Sequence, residues 1–318
     1  MTADAPALDM TAYTALTEGA ALQARDAWGV LALEDADRID FLQRMTTNNV
    51  ATLESGQAML TILTSPVARV EFVFTVLNRG EALWLLPASS EAEALAHKLR
   101  SQIFFMDKVR VRDLSADLTR LRLMGPRGQA VLAAAGLPLP AQDDTFADAD
   151  GVTVLRQEKF DIPGWELLLA PERRPAVQHA LVEAGAVLLS DEEAYTARRV
   201  ELARPIPGAE LTAAVNPLEA GMAWACAEDK GCYTGQEIIA RQRTYDKVTK
   251  TLVQLRCERR PSPGAAISVE GRAGGTVTSS VFSPAQGTYL ALGILRRPHN
   301  RPGARVYVDE GIPATVVG

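Results

Sequence analysis

The part of the chain after Lys250 differs in texture from everything before it. It consists of short β-prone runs separated by glycine, proline and asparagine, at residues 252–255, 266–269, 276–281, 290–294, 305–308 and 314–317. Strands at this spacing, with turn residues between them, are typical of a small closed β-barrel. We therefore predict a C-terminal barrel over residues 246–318.

Two successive courses of strands and helices precede this barrel. β-prone runs occur at 28–33, 59–64, 70–77, 82–86, 109–111, 119–123, 152–155 and 165–169, and helical patterns occur at 91–99, 129–135, 174–183 and 192–202. Connections of mainly hairpin length favour α+β layers over a doubly wound parallel sheet. We predict a first α/β domain over 1–115 and a second over 116–245, with an acidic surface loop at 140–151. In the run 119–123, Arg120 and Arg122 fall on one face.

Composition and length place broad limits on the function. A chain of 318 residues suggests two or three domains, and 47% hydrophobic with 23% charged residues is ordinary for a soluble globular protein. The net charge of −6 argues against a general nucleic-acid-binding surface. Three cysteines in a chain this long indicate no disulfide framework and suit a reducing cytoplasm.

Membrane and secretion signals are not evident in the sequence. Residues 1–6 have neither a basic nor an apolar signal-peptide region, and no apolar run approaches the roughly 20 residues that span a bilayer. We predict a soluble, cytoplasmic protein without a membrane partner.

One of the three cysteines, Cys232, lies in an unusual local setting. Gly231 and Gly235 flank it, and Thr234 followed by Glu237 fits a capping box at the start of a helix. A thiol just before a helix N-terminus and near the ammonium of Lys230 favours the thiolate. The alternative is a small buried hydrophobic residue, which is the commoner fate of a lone cysteine.

The motif around this cysteine resembles a known family. Lys-Gly-Cys-Tyr-Thr-Gly-Gln-Glu at 230–237 is similar to the signature of the YgfZ family, folate-binding relatives of the glycine-cleavage T-protein (aminomethyltransferase). Segments 40–43, 47–49, 199–205 and 216–220 extend the resemblance over most of the chain. It implies two ferredoxin-like α/β domains and a C-terminal barrel, arranged as a ring around a central folate channel.

The resemblance also implies residue roles. Cys232 and Lys230 would carry the chemistry, and tetrahydrofolate or a derivative would be the cofactor. A carboxylate such as Glu201 can bridge the N–H edge of a pterin with paired hydrogen bonds, although a solvated pairing with Arg198 or Arg204 is the alternative. The implied folate-binding residues are Glu201, Arg199, Asn48, Tyr233, Gln236 and Arg241.

One feature of the aminomethyltransferases is missing. Their catalytic aspartate lies in a Gly-(Gly/Arg)-x-x-Asp-type segment, whereas the matching stretch 68–74 contains no aspartate and begins with Ala68. Glu71 is its only carboxylate. This departure argues against true aminomethyltransferase activity.

Other functional classes lack their motifs. His97, His179 and His299 lie far apart, no Cys-x-x-Cys spacing occurs, and we predict no protein-only metal site. A Gly-x-Ser-x-Gly elbow, a dinucleotide fingerprint and a Walker loop are also absent.

The segment 230–260 is basic, with eight lysines and arginines against three acidic residues. It is either a solvated surface or a rim for an anion. The scarcity of aromatic residues favours a folate polyglutamate tail over RNA, with Arg241, Arg243 and Lys247 as its contacts.

We predict a tetrahydrofolate-binding accessory protein for iron–sulfur cluster assembly or repair. Its partners would be folate and iron–sulfur client or assembly proteins. The alternatives are a folate-dependent aminomethyl or one-carbon transferase, and a tRNA-modification factor that binds tRNA.

Overall fold

The computed structural model describes residues 8–318, so residues 1–6, predicted not to be a signal peptide, lie outside the described range. The helices are α1 Met10–Thr17, α2 Arg38–Met45, α3 Ala92–Arg100, α4 Gly128–Ala134, α5 Arg174–Glu183, α6 Glu192–Glu201 and α7 Gln236–Thr244. The strands are β1 Ala21–Ala24, β2 Leu31–Glu34, β3 Ala58–Thr64, β4 Val70–Asn78, β5 Leu83–Pro87, β6 Arg110–Asp113, β7 Thr119–Met124, β8 Phe146–Ala149, β9 Val152–Gln157, β10 Gly164–Leu169, β11 Val187–Leu188, β12 Lys250–Cys257, β13 Ala266–Val269, β14 Arg272–Ser283, β15 Thr288–Arg296, β16 Arg305–Val308 and β17 Ile312–Val316. Within the described range, no helix is long and apolar enough to cross a bilayer.

The first sheet has five antiparallel strands in the order β3-β4-β5-β2-β6. Helices α2 and α3 cover one of its faces. Leu95 and Leu99, four residues apart on α3, share one side of the helix and pack with Phe41 of α2 and Phe74 of β4. The core of this unit therefore lies between the sheet and its two helices.

The second sheet has the order β11-β1-β7-β10-β9-β8 and is antiparallel except for the β1–β11 pair. Helices α4 and α5 cover its outer face, where Leu132 and Leu181 pack around Trp165. Its strand β1 comes from residues 21–24, so the predicted first domain, 1–115, contributes a strand to the sheet of the second. Strand β8 lies inside the predicted surface loop 140–151 and pairs with β9.

The inner faces of the two sheets pack against each other. Val30, Leu77 and Leu86 of the first unit form one apolar cluster with Leu155 and Leu168 of the second. The two units therefore form four layers, helix–sheet–sheet–helix, and polar groups between the sheets are shielded from water.

The C-terminal strands form a closed barrel in the order β12-β15-β14-β13-β16-β17, with β17 pairing back to β12. This confirms the predicted barrel. Helices α1 and α6 join it to the second sheet, because Leu16 and Ala197 pack with Val281, Leu290 and Leu292 of the barrel. The ends of α6 and β14 consequently lie side by side.

Candidate functional site

The cysteine motif forms a loop that packs on the hairpin between β3 and β4. The hydroxyl of Thr64 donates a 2.6 Å hydrogen bond to the carbonyl of Thr234. Gly235 has a φ of +85°, and a Cβ on it would lie 2.8 Å from the carbonyl oxygen of Ser65. Only glycine meets both conditions, the positive φ and the close backbone approach. The loop thus contacts the first sheet unit, although the sequence places it at the end of the second domain.

The predicted capping box is wrong. Gly235 is the N-cap of α7 and no side chain caps the helix. With Thr234 as the N-cap, the helix would begin at residue 235. It begins instead at Gln236, because the left-handed turn at Gly235 redirects the chain.

Lys230 anchors the start of the loop. Its ammonium donates to the carbonyls of Thr46 and Asn48, the latter at 2.7 Å, and lies 4.9 Å from the centre of the Tyr233 ring. Burial lowers the pKa of this lysine to about 8. These hydrogen bonds attach the ammonium to the backbone segment that follows α2.

The three cysteines differ sharply in exposure. Cys232 is exposed, whereas Cys226 and Cys257 are buried. Burial raises the pKa of Cys226 to about 11 and that of Cys257 to about 12. Since the thiolate is the reactive form, Cys232 is the thiol best placed to react.

Three of the predicted folate residues support this loop. Tyr233 is buried in an apolar cluster with Ala68 and Ile239. The Gln236 amide donates to the Lys230 carbonyl at 3.3 Å, and the Asn48 amide donates to the carbonyl of Leu60 at 2.9 Å. These contacts hold the loop in place. Whether the same side chains also touch folate stays a prediction, as it does for the exposed Arg241.

The other two predicted folate residues, Arg199 and Glu201, lie elsewhere, at the contact between α6 and the barrel. The Glu201 carboxylate accepts hydrogen bonds from the hydroxyls of Tyr13 at 2.8 Å and Ser283 at 2.6 Å. Arg199 is buried and donates to Glu210 at 3.2 Å and to Ser279 at 2.6 Å. The eight predicted site residues therefore fall into two groups, and both members of the second group bind the barrel.

Of the three cations predicted to form a basic rim, one is already paired within the chain. Arg243 donates to the carbonyls of Ala223 and Cys226 and lies 3.2 Å from the Glu228 carboxylate. Its charge is thus committed within the chain, whereas Arg241 and Lys247 are exposed.

A cluster of buried charges lies between the two sheets. It comprises Arg25, Arg120, Arg122, Asp161 and Glu166, each at most 5% exposed. Arg25 contacts Asp161 at 2.5 Å, and Arg120 contacts Glu166 at 2.7 Å. Burial alone would raise the pKa of Asp161, but Arg25 and Arg122 lower it below its usual range. The alternating arginines of β7, Arg120 and Arg122, are the sequence signal for this cluster.

Family comparisons divide the chain at the barrel boundary. The model described as GCVT N-terminal domain matches residues 13–230, and the one described as glycine cleavage T-protein C-terminal barrel domain matches residues 250–318. The chain belongs to the glycine cleavage T-protein family. The fold class predicted from the sequence, α+β with a C-terminal barrel, is confirmed.

Relatives of this T-protein family member carry two kinds of name. A protein of Arabidopsis thaliana, named "Putative transferase At1g60990, chloroplastic", is 28% identical over 97% of this chain and 72% of its own length. An aminomethyltransferase of Halalkalibacterium halodurans is 26% identical over 88% of this chain and 80% of its own length. The crystal structure of the glycine cleavage system aminomethyltransferase T from Bartonella henselae covers 97% of this chain and 88% of its own, with a TM-score of 0.87 and 21% identity. This structural likeness shows the fold.

The T-protein family member described here lacks an aspartate at the start of β4. Glu71, the one carboxylate of that strand, lies 2.8 Å from the ammonium of Lys98 on α3. Among residues 8–318, no group of three or more histidines, cysteines and carboxylates could hold a metal ion.

Proposed function

We propose that this T-protein family member is of the YgfZ type: a cytoplasmic tetrahydrofolate-binding protein that supports iron–sulfur cluster assembly or repair through Cys232. The observation that carries the proposal is the exposed thiol on a firmly held loop. Thr64 and Lys230 fix the backbone on either side of the thiol, so that it is presented to solvent in a constant position. Such a thiol suits a nucleophile, a transient cluster ligand or a redox switch.

Aminomethyl transfer is the second candidate, and the names of the relatives favour it. We place it second because the stretch 68–74 has no aspartate and its one carboxylate, Glu71, is held in an ion pair by Lys98 at 2.8 Å. Calorimetry of tetrahydrofolate binding, followed by a turnover assay with an aminomethyl donor, separates the two candidates. Binding without product supports the accessory role. Product formation contradicts it.

The proposed pterin contact of Glu201 has its own test. Glu201→Ala should weaken tetrahydrofolate binding by about 2–3 kcal/mol, since it leaves the donors of the pterin edge unpaired. Tyr13→Phe is the matched control, because it removes one hydrogen bond to the same carboxylate and leaves the carboxylate in place. Equal affinities of the Glu201→Ala and wild-type proteins would remove Glu201 from the site.

The proposed role of the thiol is tested by alkylation and replacement. Cys232 should react at least tenfold faster than Cys226 or Cys257 in the folded protein, because it is exposed and the other two thiols are buried with raised pKa values. Mass spectrometry identifies the alkylated residue, and the buried thiols serve as internal controls.

Cys232→Ser should keep the fold and the folate affinity but abolish support of iron–sulfur enzymes in cells. Full complementation by the serine variant would show that the thiol has no functional role.

A further inference from the structure

The loop between α3 and β6 exposes three consecutive large apolar residues. Phe104, Phe105 and Met106, here named the apolar tip, are 69%, 98% and 75% exposed. Elsewhere in the described part of the chain, the exposed large apolar residues occur singly along the sequence. Single exposed apolar residues are ordinary on a protein surface, whereas a contiguous exposed group marks a site of interaction with a protein or a membrane.

Hydrogen bonds hold the apolar tip in a tight turn. The amide of Asp107 donates to the carbonyl of Phe104 at 2.9 Å, and the Asp107 carboxylate accepts from the amide of Phe104 at 2.9 Å. Arg44 of α2 contacts the same carboxylate. Ile103 and Val109, which flank the turn, pack against the core of the first unit. The first unit therefore holds both ends of the tip, while the tip itself extends into solvent.

The chain around the apolar tip is basic. Residues 98–113 contain five lysines and arginines against two aspartates, in a protein whose net charge is −6. Lys108, which follows the turn, is exposed. In β6, Arg110 and Arg112 are exposed and share the single carboxylate of Glu34, at 2.6 and 3.1 Å. One positive charge of this pair is therefore unmatched, and a cationic strand leads away from the tip.

This order of groups matches the surface of an anionic membrane. A bilayer has its apolar interior beneath a layer of lipid phosphates, and proteins bind there through buried apolar area together with electrostatic attraction to anionic lipids. With the apolar tip in the interior, the cations behind it lie at the depth of the phosphates. A protein partner would need a pocket shaped for two adjacent aromatic rings, whereas a fluid bilayer accepts a protruding tip without a matching shape. A protruding tip with an excess of cations behind it therefore favours a membrane.

We infer that the apolar tip inserts into the surface of an anionic membrane and that Lys108, Arg110 and Arg112 contact its lipid phosphates. The contact is peripheral, because three residues are far fewer than the roughly 20 that span a bilayer. It departs from the sequence-based prediction that the protein has no membrane partner, which rested on spanning and signal segments alone. The inference involves neither the cysteine loop nor a folate, so it stands or fails independently of the proposed function.

Cosedimentation with lipid vesicles tests the inference. Wild-type protein should bind vesicles made of an equal mixture of phosphatidylglycerol and phosphatidylcholine at low salt, and binding should weaken as salt rises. Binding to vesicles of phosphatidylcholine alone should be at least about tenfold weaker, because the cations then lack anionic lipids.

Two variants locate the contact on the protein. Phe104→Ser/Phe105→Ser should weaken binding to the anionic vesicles by about tenfold or more, since it removes most of the apolar area of the tip. Lys108→Gln should weaken it by about fivefold. The matched controls are Tyr307→Ser, at an aromatic residue that is 51% exposed on the barrel, and Lys159→Gln, at an exposed lysine of the second unit. Both controls should bind the vesicles as wild type does.

Phe105→Trp reports whether the tip itself enters the bilayer. Because the side chain at this position is almost fully exposed, the added tryptophan fluoresces from water in the free protein. Its emission, measured as the difference from wild type, should shift to shorter wavelength when anionic vesicles are added. Vesicle binding without this shift overturns the inference, because another surface then makes the contact.

The remaining outcomes are equally decisive. Absence of wild-type binding, equal binding to the two kinds of vesicle, or equal binding by wild type and the double serine variant overturns the inference, as does loss of binding in a control. Sedimentation velocity without lipid tests the other occupant: a wild-type dimer that the double serine variant loses would show that a second copy covers the tip, and would also overturn it. Phe105→Ser alone covers the case in which the double variant fails to fold, and it should weaken binding by about threefold.

Discussion

The cysteine loop and the charge cluster between the sheets differ in how far their ionisable side chains are exposed to solvent. The cluster buries three arginines and two carboxylates, and its close ion pairs lie entirely within the protein. Arg120 also donates to the carbonyls of Gly29 and Pro87, so that the cluster ties the second sheet to the first unit. In the cysteine loop, backbone contacts fix the chain and the thiol of Cys232 remains exposed.

The difference shows that a strongly perturbed pKa does not by itself identify a functional site. Burial raises the pKa of Tyr195, and Arg25 and Arg122 lower that of Asp161. The Tyr195 hydroxyl donates to the buried Asp161 at 2.7 Å, so both shifts belong to one internal network. Functional sites share such shifts with structural ion-pair networks, so the shift alone does not distinguish them. Cys232 is exposed to solvent, whereas the charged groups of the cluster are buried.

The largest expected effect comes from breaking the cluster. Glu166→Ala should lower the free energy of unfolding by about 3–5 kcal/mol, because it leaves arginines buried without their counter-charge. Urea denaturation measures the loss. Asp148→Ala, which removes a half-exposed carboxylate 3.1 Å from Arg79, is the control and should cost at most about 1 kcal/mol. Equal losses in the two variants would contradict a structural role for the cluster.

A smaller effect is expected at the turn that positions the cysteine loop. Gly235→Ala should destabilise the protein by about 2 kcal/mol, since it puts an L-residue at a φ of +85° and a Cβ 2.8 Å from the Ser65 carbonyl oxygen. At Gly231 the space around a Cβ is open, so Gly231→Ala should change stability by about 0.5 kcal/mol or less. Thermal unfolding of both variants makes the comparison. A tolerated alanine at 235 would show that the loop is not held as described.

The smallest effect concerns the amine of Lys230. Because burial lowers its pKa to about 8, acylation at this lysine should reach half its maximal rate near pH 8. Labelling of the folded protein at several pH values, followed by peptide mass spectrometry, measures the profile. A half-maximal rate near the reference lysine pKa of about 10.4 would contradict the burial of this ammonium.

The same shift has a consequence for stability. The folded-state pKa of Lys230 lies below the value of about 10.4 in an unfolded chain, so the unfolded chain binds more protons between these pH values. This group alone therefore makes folding more favourable as pH rises from about 8 to about 10.4.

The barrel was predictable because its evidence is local. Short alternating runs and the glycines and prolines between them mark strands and turns within a few residues of each other. The pairing of β1 with β7 was not predictable in this way, because residues 21–24 join a partner about a hundred positions away. Strand β8 was missed for a related reason, since its acidic and alanine-rich sequence has little β propensity and pairing with β9 overrides it.

In the candidate site as well, features that depend on local sequence were predictable, and features that depend on contacts between distant residues were not. The motif at 230–237 singled out Cys232, and the structure leaves that thiol exposed. The capping box failed because Thr234 and Glu237 satisfy a local pattern, whereas contact with Ser65 and Ala68 imposes a left-handed turn at Gly235. Local capping chemistry yields to a close tertiary contact when the two conflict.

The sequence by itself determined which segments alternate between apolar and polar residues, where turn residues interrupt them and which cysteine is flanked by glycines. These properties depend only on neighbouring residues. Only the tertiary structure decided that the cysteine loop packs on the first sheet and that Glu201 binds Tyr13 and Ser283. Those contacts join residues far apart in the chain. Their energy comes from burial and from satisfying polar groups, and it exists only once the three units have packed together.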